Sequence, residues 1–403
     1  MLPQLYAFPN GLFTSPVASA GSQFFLKGIN WFGFETETFS PHGLWSASMD
    51  YLLDFLQMEK FNALRVPFST EFAENMDKLT PTSIDYVKNP DLKDKTAGQV
   101  MDILVKKCRD RGIYVMPDMH RFRGASGIPE LWYNDEFPEK RVLDAWKKLV
   151  TRYKSDTTVF AADLKNEPHG PATWGSGDPK TDWAAAAERM GNALLDINPK
   201  LLIFVEGIER TKDHPNRTSW WGGSIDQIEK RPIKLKLPNR LVYSPHVYGP
   251  DVFNMPYFSK EAGFPKNLPA IWTSDFGYIR QKRLAPIVIG EWGGQNQPDS
   301  KDRVWQEAVT DYFLKNGLSC ATFYWTLNPN SGDTKGVLAD DWVTAVRHRL
   351  DMNQRVCPSP TVLVRPKANA MLAHMTSLED KSLNVLRAIA TPYYHFKQAW
   401  GKK

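Results

Sequence analysis

Residues 287–294 read Ile-Val-Ile-Gly-Glu-Trp-Gly-Gly: an apolar, β-branched run that stops on a carboxylate, Glu291, and breaks into glycine. Residues 162–169 read Ala-Asp-Leu-Lys-Asn-Glu-Pro-His, and Asn166-Glu167 stand where the apolar stretch before them meets proline. A short apolar run that closes on a charge and a turn former is the pattern of a buried strand emerging from a core. Both carboxylates are therefore expected at strand tips.

Outward from these two stretches, six further runs of strand length follow the same rule. The full set is Phe24–Gly33, Ala63–Phe68, Tyr114–His120, Phe160–Asn166, Leu201–Glu206, Leu241–His246, Pro286–Glu291 and Ala321–Thr326. Several are apolar throughout, as parallel strands covered on both faces are. Helical periodicity lies between them, at Met49–Phe61, Gly98–Arg111, Val142–Tyr153, Asp182–Leu195, Val304–Leu314 and Trp342–Met352. Repeated strand–helix alternation predicts an α/β fold, and eight strands predict a closed (β/α)8 TIM barrel. The first strand runs into Trp31-Phe32-Gly33, which offers no glycine-rich phosphate turn of the kind an open nucleotide-binding sheet requires.

The predicted strand tips carry Trp31, Arg65, His120, Asn166-Glu167, Glu206, His246 with Tyr248, Glu291-Trp292 and Trp325. A closed barrel builds its site at that rim. Two carboxylates facing one cleft are the minimal equipment for cleaving a glycosidic bond. Glu167 suits a general acid if burial or a second carboxylate keeps it protonated, and Glu291, flanked by small residues, suits a nucleophile kept ionised by Arg65 and Tyr248. A buried Arg65 demands a carboxylate partner. His120 and His246 are placed to meet sugar hydroxyls or to orient a carboxylate. Their spacing is not that of a metal site, so neither metal nor cofactor is expected.

Composition narrows the partners. The chain has 403 residues, 42% hydrophobic and 24% charged, as a globular protein has. Its 14 tryptophans exceed what packing alone asks for, and Trp31, Trp45, Trp174, Trp220, Trp221, Trp272 and Trp292 are candidate platforms for sugar rings. The net charge of +5 resides entirely beyond Val356, where Arg365, Lys367, Lys381, Arg387, Lys397, Lys402 and Lys403 face only Glu379 and Asp380. A neutral body argues against a nucleic-acid partner. No apolar run is long enough to cross a membrane as a helix. Cys108, Cys320 and Cys357 are expected as free buried thiols; one disulfide is possible, and the spacing does not choose it. Residues 1–355 are expected to form the catalytic barrel, and residues 356–403 a basic C-terminal extension with a helix over Ala368–Ala390. Asn216-Arg217-Thr218 is the single glycosylation acceptor triplet.

Six stretches in order resemble glycoside hydrolase family 5: residues 27–36, Lys-Gly-Ile-Asn-Trp-Phe-Gly-Phe-Glu-Thr; 65–67, Arg-Val-Pro; 163–174, Asp-Leu-Lys-Asn-Glu-Pro-His-Gly-Pro-Ala-Thr-Trp; 244–251, Ser-Pro-His-Val-Tyr-Gly-Pro-Asp; 289–294; and 324–334, Tyr-Trp-Thr-Leu-Asn-Pro-Asn-Ser-Gly-Asp-Thr. The resemblance runs from about Leu26 to Leu350. It implies a retaining endo-β-1,4-glucanase with Glu167 as acid/base and Glu291 as nucleophile. Asn166 would hold the 2-hydroxyl, Arg65 and Tyr248 would flank the nucleophile, His120 and His246 would line the cleavage point, and Trp325 would floor the non-reducing side. A monomer acting on a β-glucan polysaccharide or oligosaccharide outside the cell is expected, its secretion signal not being part of this sequence. Mannan, mixed-linkage glucan or xyloglucan as substrate, or a non-catalytic glycan-binding barrel, are the alternatives. The chain departs from the family at Lys335-Gly336, where Gly-Gly is usual, and in the stretch after Val356.

Overall fold

Eight parallel strands form one sheet in the computed structural model, which describes residues 1–211 and 218–366. They are β1 (Leu26–Asn30), β2 (Ala63–Ser69), β3 (Tyr114–Arg121), β4 (Ala161–Asp163), β5 (Leu202–Val205), β6 (Leu241–Tyr243), β7 (Ile289–Trp292) and β8 (Ala321–Tyr324). The spatial order is β7-β8-β1-β2-β3-β4-β5-β6. Parallel bridges Tyr243↔Ile287 and His246↔Glu291 join its two edges, so the sheet closes into the expected barrel.

Alternate residues of each strand face the barrel axis. In the lower half these are apolar: Ala63, Tyr114, Met116, Ala161, Leu202, Phe204 and Val242 share one cluster. The residues between them, such as Leu64, Val115, Ala162 and Ile203, belong to the layer shared with the helices. Toward the C-terminal rim the inward positions become Arg65, Asp118, His120, Asp163, Lys165, Glu206 and His246, all buried. The barrel is thus an oil-like plug below and an ion cluster above. This alternation was masked in sequence because most outward positions of the strands are apolar too, Lys27 of β1 and Thr322 of β8 being exceptions.

The helices at Met49–Met58, Ala97–Asp110, Glu139–Tyr153, Trp183–Ile197 and Lys301–Lys315 match the expected ones within a few residues. The last does not: it spans Arg347–Val356, not Trp342–Met352. Asp341 captures the Val343 and Thr344 amides, and Trp342 has φ +59°, so a side-chain-capped turn replaces the first helical turn. No α-helix joins β5 to β6 among the described residues.

Below the barrel, Tyr6–Phe8, Gly11–Phe13 and Gln23–Phe24 pair as a small antiparallel sheet that the sequence reading did not anticipate. Its Leu5, Ala7 and Leu12 complete the lower plug, and the Tyr114 hydroxyl donates to the Pro3 carbonyl at 2.6 Å.

The expectation of three free thiols is corrected. Cys320 and Cys357 form a disulfide with Cα atoms 4.5 Å apart, and only Cys108 is free, buried under the helices. The returning helix Arg347–Val356 brings Cys357 to the start of β8, where the Cys320 amide meets the Val356 carbonyl at 3.3 Å. Beyond the bridge, Thr361 is hydrogen-bonded to Phe25 and Asn62, so the chain to residue 366 is fastened to the barrel base. The glycosylation triplet at 216–218 and the helix expected over 368–390 lie outside the described residues, apart from Thr218.

Candidate active site

Every predicted site residue arrives at one cleft of about 710 Å³ or at the ion cluster beneath it. His120, Glu167, Trp220, Tyr248, Glu291 and Trp325 line the cleft; Arg65, Asn166 and His246 lie just below.

Arg65 is the keystone. It is wholly buried, and a lone buried guanidinium would cost several kcal/mol. Here it donates to Asp163 at 2.8 Å, Asn30 at 3.1 Å, Glu291 at 2.5 Å, Asn166 at 2.9 Å and Glu206 at 3.1 Å. Asp118 stands 3.1 Å away. Only a planar fork with five donors can serve so many partners.

Glu291 accepts from Arg65 through Oε1 and from the Tyr248 hydroxyl through Oε2 at 2.5 Å. Burial acts to raise its pKa, but His246, Arg65 and the Tyr248 bond outweigh it and hold the carboxyl below its ordinary value. Glu167 goes the other way: burial, with Glu291 adding to it, pushes it up to about 6 against the pull of His246. Two carboxyls in one cleft thus titrate apart, which is the condition for one to serve as acid while the other is a base. One oxygen of each, with a ring nitrogen of His246, lies within 4.8 Å of the others.

The histidines differ. His246 is fully enclosed, with Nδ1 at 3.1 Å from Glu167 and 3.5 Å from Glu291, and Nε2 at 3.2 Å from Glu206. Burial disfavours its charge, but these three carboxylates raise its pKa well above the ordinary value. His120 is pushed well below its ordinary value by burial, its Nδ1 meeting Asp118 at 2.7 Å while the residue lines the cleft. Asn166 Oδ1 accepts from Arg65 at 2.9 Å, while its Nδ2 has no partner among the described residues.

Trp325 lies nearly parallel to Phe32, at 5.6 Å, and to His120, at 5.5 Å, and its indole N–H is held by Ser331 at 3.1 Å. Of the other candidate platforms, Trp220 and Trp221 line the cleft, and Trp221 stacks on His169 at 3.7 Å. Trp45 is 39% exposed beside His42 and Trp342. Trp31, Trp174, Trp272 and Trp292 are corrected to core residues; the first two give their N–H to the carbonyls of His42 and Arg231. Phe253, 62% exposed on the cleft wall, was not foreseen.

Asp118, Asp163, Lys165 and the part played by Glu206 were missed. Their signal was present: Asp118 and Asp163 precede His120 and Lys165 by two residues, the spacing of one strand face, and Glu206 ends an apolar run as Glu291 does. Lys335, exposed with φ +57°, explains why glycine is usual there.

Two triplets have ligand-type atoms close enough for a metal: Asp163, Glu206 and His246, and Glu167, His246 and Glu291. Both depend on His246, whose ring is held as a cation, and the Arg65 guanidinium already sits among the carboxylates. These residues fit a self-neutralised ion cluster better than a metal cage.

A closed parallel barrel that offers two buried glutamates at the tips of its fourth and seventh strands, in a cleft lined by tryptophans, defines a barrel glycoside hydrolase. The profile of Cellulase (glycosyl hydrolase family 5) matches residues 17–331. The chain belongs to that family. It is 46% identical over 358 residues to an endoglucanase of Paenibacillus polymyxa, covering 88% of each. It is 42% identical over 336 residues to the major extracellular endoglucanase of Xanthomonas campestris pv. campestris, covering 82% of this chain and 67% of that one. Among solved structures, an endocellulase of Pyrococcus horikoshii in complex with cellotetraose superposes with TM-score 0.81 at 40% identity, covering 88% of this chain and all of that one.

Proposed function

We infer that this family 5 member is an endo-β-1,4-glucanase that cleaves internal bonds by double displacement. The observation that carries the mechanism is the pair Glu167 and Glu291, with carboxyl oxygens within 4.8 Å. Retention needs about 5–5.5 Å between carboxyls, whereas inversion needs roughly 6.5–9.5 Å to seat a water.

Glu291, held ionised by Arg65 and Tyr248, attacks the anomeric carbon. Glu167 gives its proton to the leaving oxygen, and His246 stabilises the carboxylate that forms. Glu167 then takes a proton from the water that releases the glycosyl-enzyme. The free N–H of Asn166 is available to the 2-hydroxyl, and His120 Nε2 accepts a sugar hydroxyl. Trp325 floors the non-reducing side, and Trp220 and Trp221 offer faces to the leaving portion. The complex of the Pyrococcus horikoshii endocellulase with cellotetraose supports a cello-oligosaccharide ligand. The name of the Xanthomonas relative supports an extracellular site of action, and a monomer is proposed.

A reducing-sugar assay on carboxymethylcellulose, barley β-glucan, xyloglucan and mannan, with Glu291→Ala as control, tests this reading. Activity on the first two that vanishes in the variant is expected. Activity on mannan alone would overturn the substrate and keep the mechanism. Inactivity on all four would overturn the enzyme reading.

A further inference from the structure

Glu206 takes no part in the cleft wall, yet it touches the Glu167 backbone, Arg65 and His246. It directly follows β5, is wholly buried, and spends each carboxylate oxygen on a different task. Oε2 accepts the backbone N–H of Glu167 at 2.7 Å. Oε1 accepts from Arg65 at 3.1 Å and lies 3.2 Å from His246 Nε2.

The first contact answers a backbone problem. Glu167 has φ +55°, a left-handed conformation that costs a residue with a side chain roughly 1–2 kcal/mol. Something must hold it there. The carboxylate on its amide does so, and His169 Nδ1 on its carbonyl, at 2.7 Å, does the rest. Room for the carboxylate is reserved by Gly222, where a Cβ would come within 2.2 Å of Glu206 Oε2.

The second contact concerns protons. His246 faces Glu167 and Glu291 with Nδ1. On the far side its Nε2 forms no hydrogen bond among the described residues, but the Glu206 carboxylate stands 3.2 Å away as the ion-pair partner of a protonated ring. The same ring also feels Asp163 and Asp118 from β4 and β3, while Arg65 and Lys165 face Glu206 from β2 and β4.

We propose that Glu206 is a positioning residue of the hydrolytic reaction: it locks the acid/base residue into its left-handed pose and keeps His246 doubly protonated between the two catalytic carboxyls. The role rests on the functional reading above. Substrate never meets Glu206; its effect reaches the reaction through Glu167 and His246.

Burial pushes Glu206 up to about 8 against the pull of His246 and Arg65, yet both of its oxygens accept from N–H donors, as an ionised carboxylate does. Glu206→Gln keeps the size and an acceptor for the Glu167 amide but removes the ionisable group that pairs with His246. A neutral His246 no longer lowers Glu167 or Glu291. Among the influences on Glu167, those of His246 exceed the direct one of Glu206, so the net direction is upward. The expected result is a KM near that of wild type, kcat reduced about 10-fold or more, and both limbs of the pH profile moved up by on the order of one pH unit. A lower melting temperature with an unmoved pH profile would reduce Glu206 to a structural role and overturn the proposal. A second measurement needs no variant at that site: ¹⁵N-histidine NMR of the wild-type chain, with His246 assigned by loss of its signals in His246→Asn. Both ring nitrogens protonated through pH 7 is expected; a neutral ring at pH 6 overturns the proposal. Wild-type inactivity on every glucan would instead sink the functional reading, which the NMR titration does not depend on.

Discussion

Arg65 Nη1 donates to Glu291 Oε1 at 2.5 Å, and the guanidinium that does so is wholly buried. The contact ties the proposed nucleophile to a residue whose other donors hold Asn30, Asp163, Asn166 and Glu206.

Lysine in place of Arg65 keeps the charge and loses the fork. Arg65→Lys leaves several buried acceptors unpaired, a change that destabilises by roughly 3–5 kcal/mol. The expected outcome is a lower melting temperature together with a kcat down by about 100-fold or more. A lysine variant with more than half the wild-type kcat would show that charge alone suffices.

The pH profile follows from two opposed shifts. With Glu167 as the proposed acid, kcat/KM should fall as pH rises through about 6. Glu291 must be ionised, so kcat/KM falls as pH drops through a pKa held below the ordinary value. The optimum lies between these limits, on the acid side of neutrality. His246→Gln removes a cation that lowers both carboxyls, and both limbs should move up. A profile flat from pH 5 to pH 8 would contradict this assignment.

Azide distinguishes the two glutamates. With an activated aryl cellobioside, Glu167→Ala should still form the glycosyl-enzyme, and azide should release it as the β-glycosyl azide. Glu291→Ala should be rescued to the α product, since azide then attacks the substrate directly. Turnover on polymer should fall about 10²–10⁴-fold when the acid/base is lost. Exchanged product stereochemistry would reverse the roles.

Trp325 should act on binding. Trp325→Ala removes a cleft-lining ring that packs beside Phe32 and His120, and KM should rise several-fold, with a smaller change in kcat. Steady-state kinetics on cellotetraose would show it, and an unchanged KM would remove Trp325 from the sugar's path.

The Cys320–Cys357 bridge closes 37 residues of separation at the end of the barrel away from the cleft. Loop closure of that length is worth about 4 kcal/mol at most. Cys357→Ser should therefore melt earlier while retaining its kcat at 25 °C. Equal melting temperatures with and without the bridge would show that the bonds of Asn62 and Phe25 to Thr361 already hold the segment.

How much of this was legible in the sequence varies by residue for physical reasons. The strand runs, and the chemistry at their tips, were readable because burial on both faces leaves an apolar string that a single carboxylate interrupts. Glu167 and Glu291 stood out for that reason. Asp118 and Asp163 did not, since each lies inside a strand and only its inward direction gives it meaning. The tryptophans separate in the same way: Trp220 and Trp221 reach the cleft, whereas Trp31 and Trp292 turn into the core. The helix start near Trp342 was misplaced because Asp341 hydrogen-bonds the amides that a helix would have used.

The amino-acid order by itself determined the barrel, through local burial periodicity, and the two carboxylates that end its fourth and seventh strands. Tertiary structure alone decided which cysteines pair, which indoles meet the cleft, and how burial raises one carboxyl while Arg65 and His246 lower the other. Those outcomes depend on distances of about 3 Å between residues scores of positions apart, and closing the sheet is what sets them.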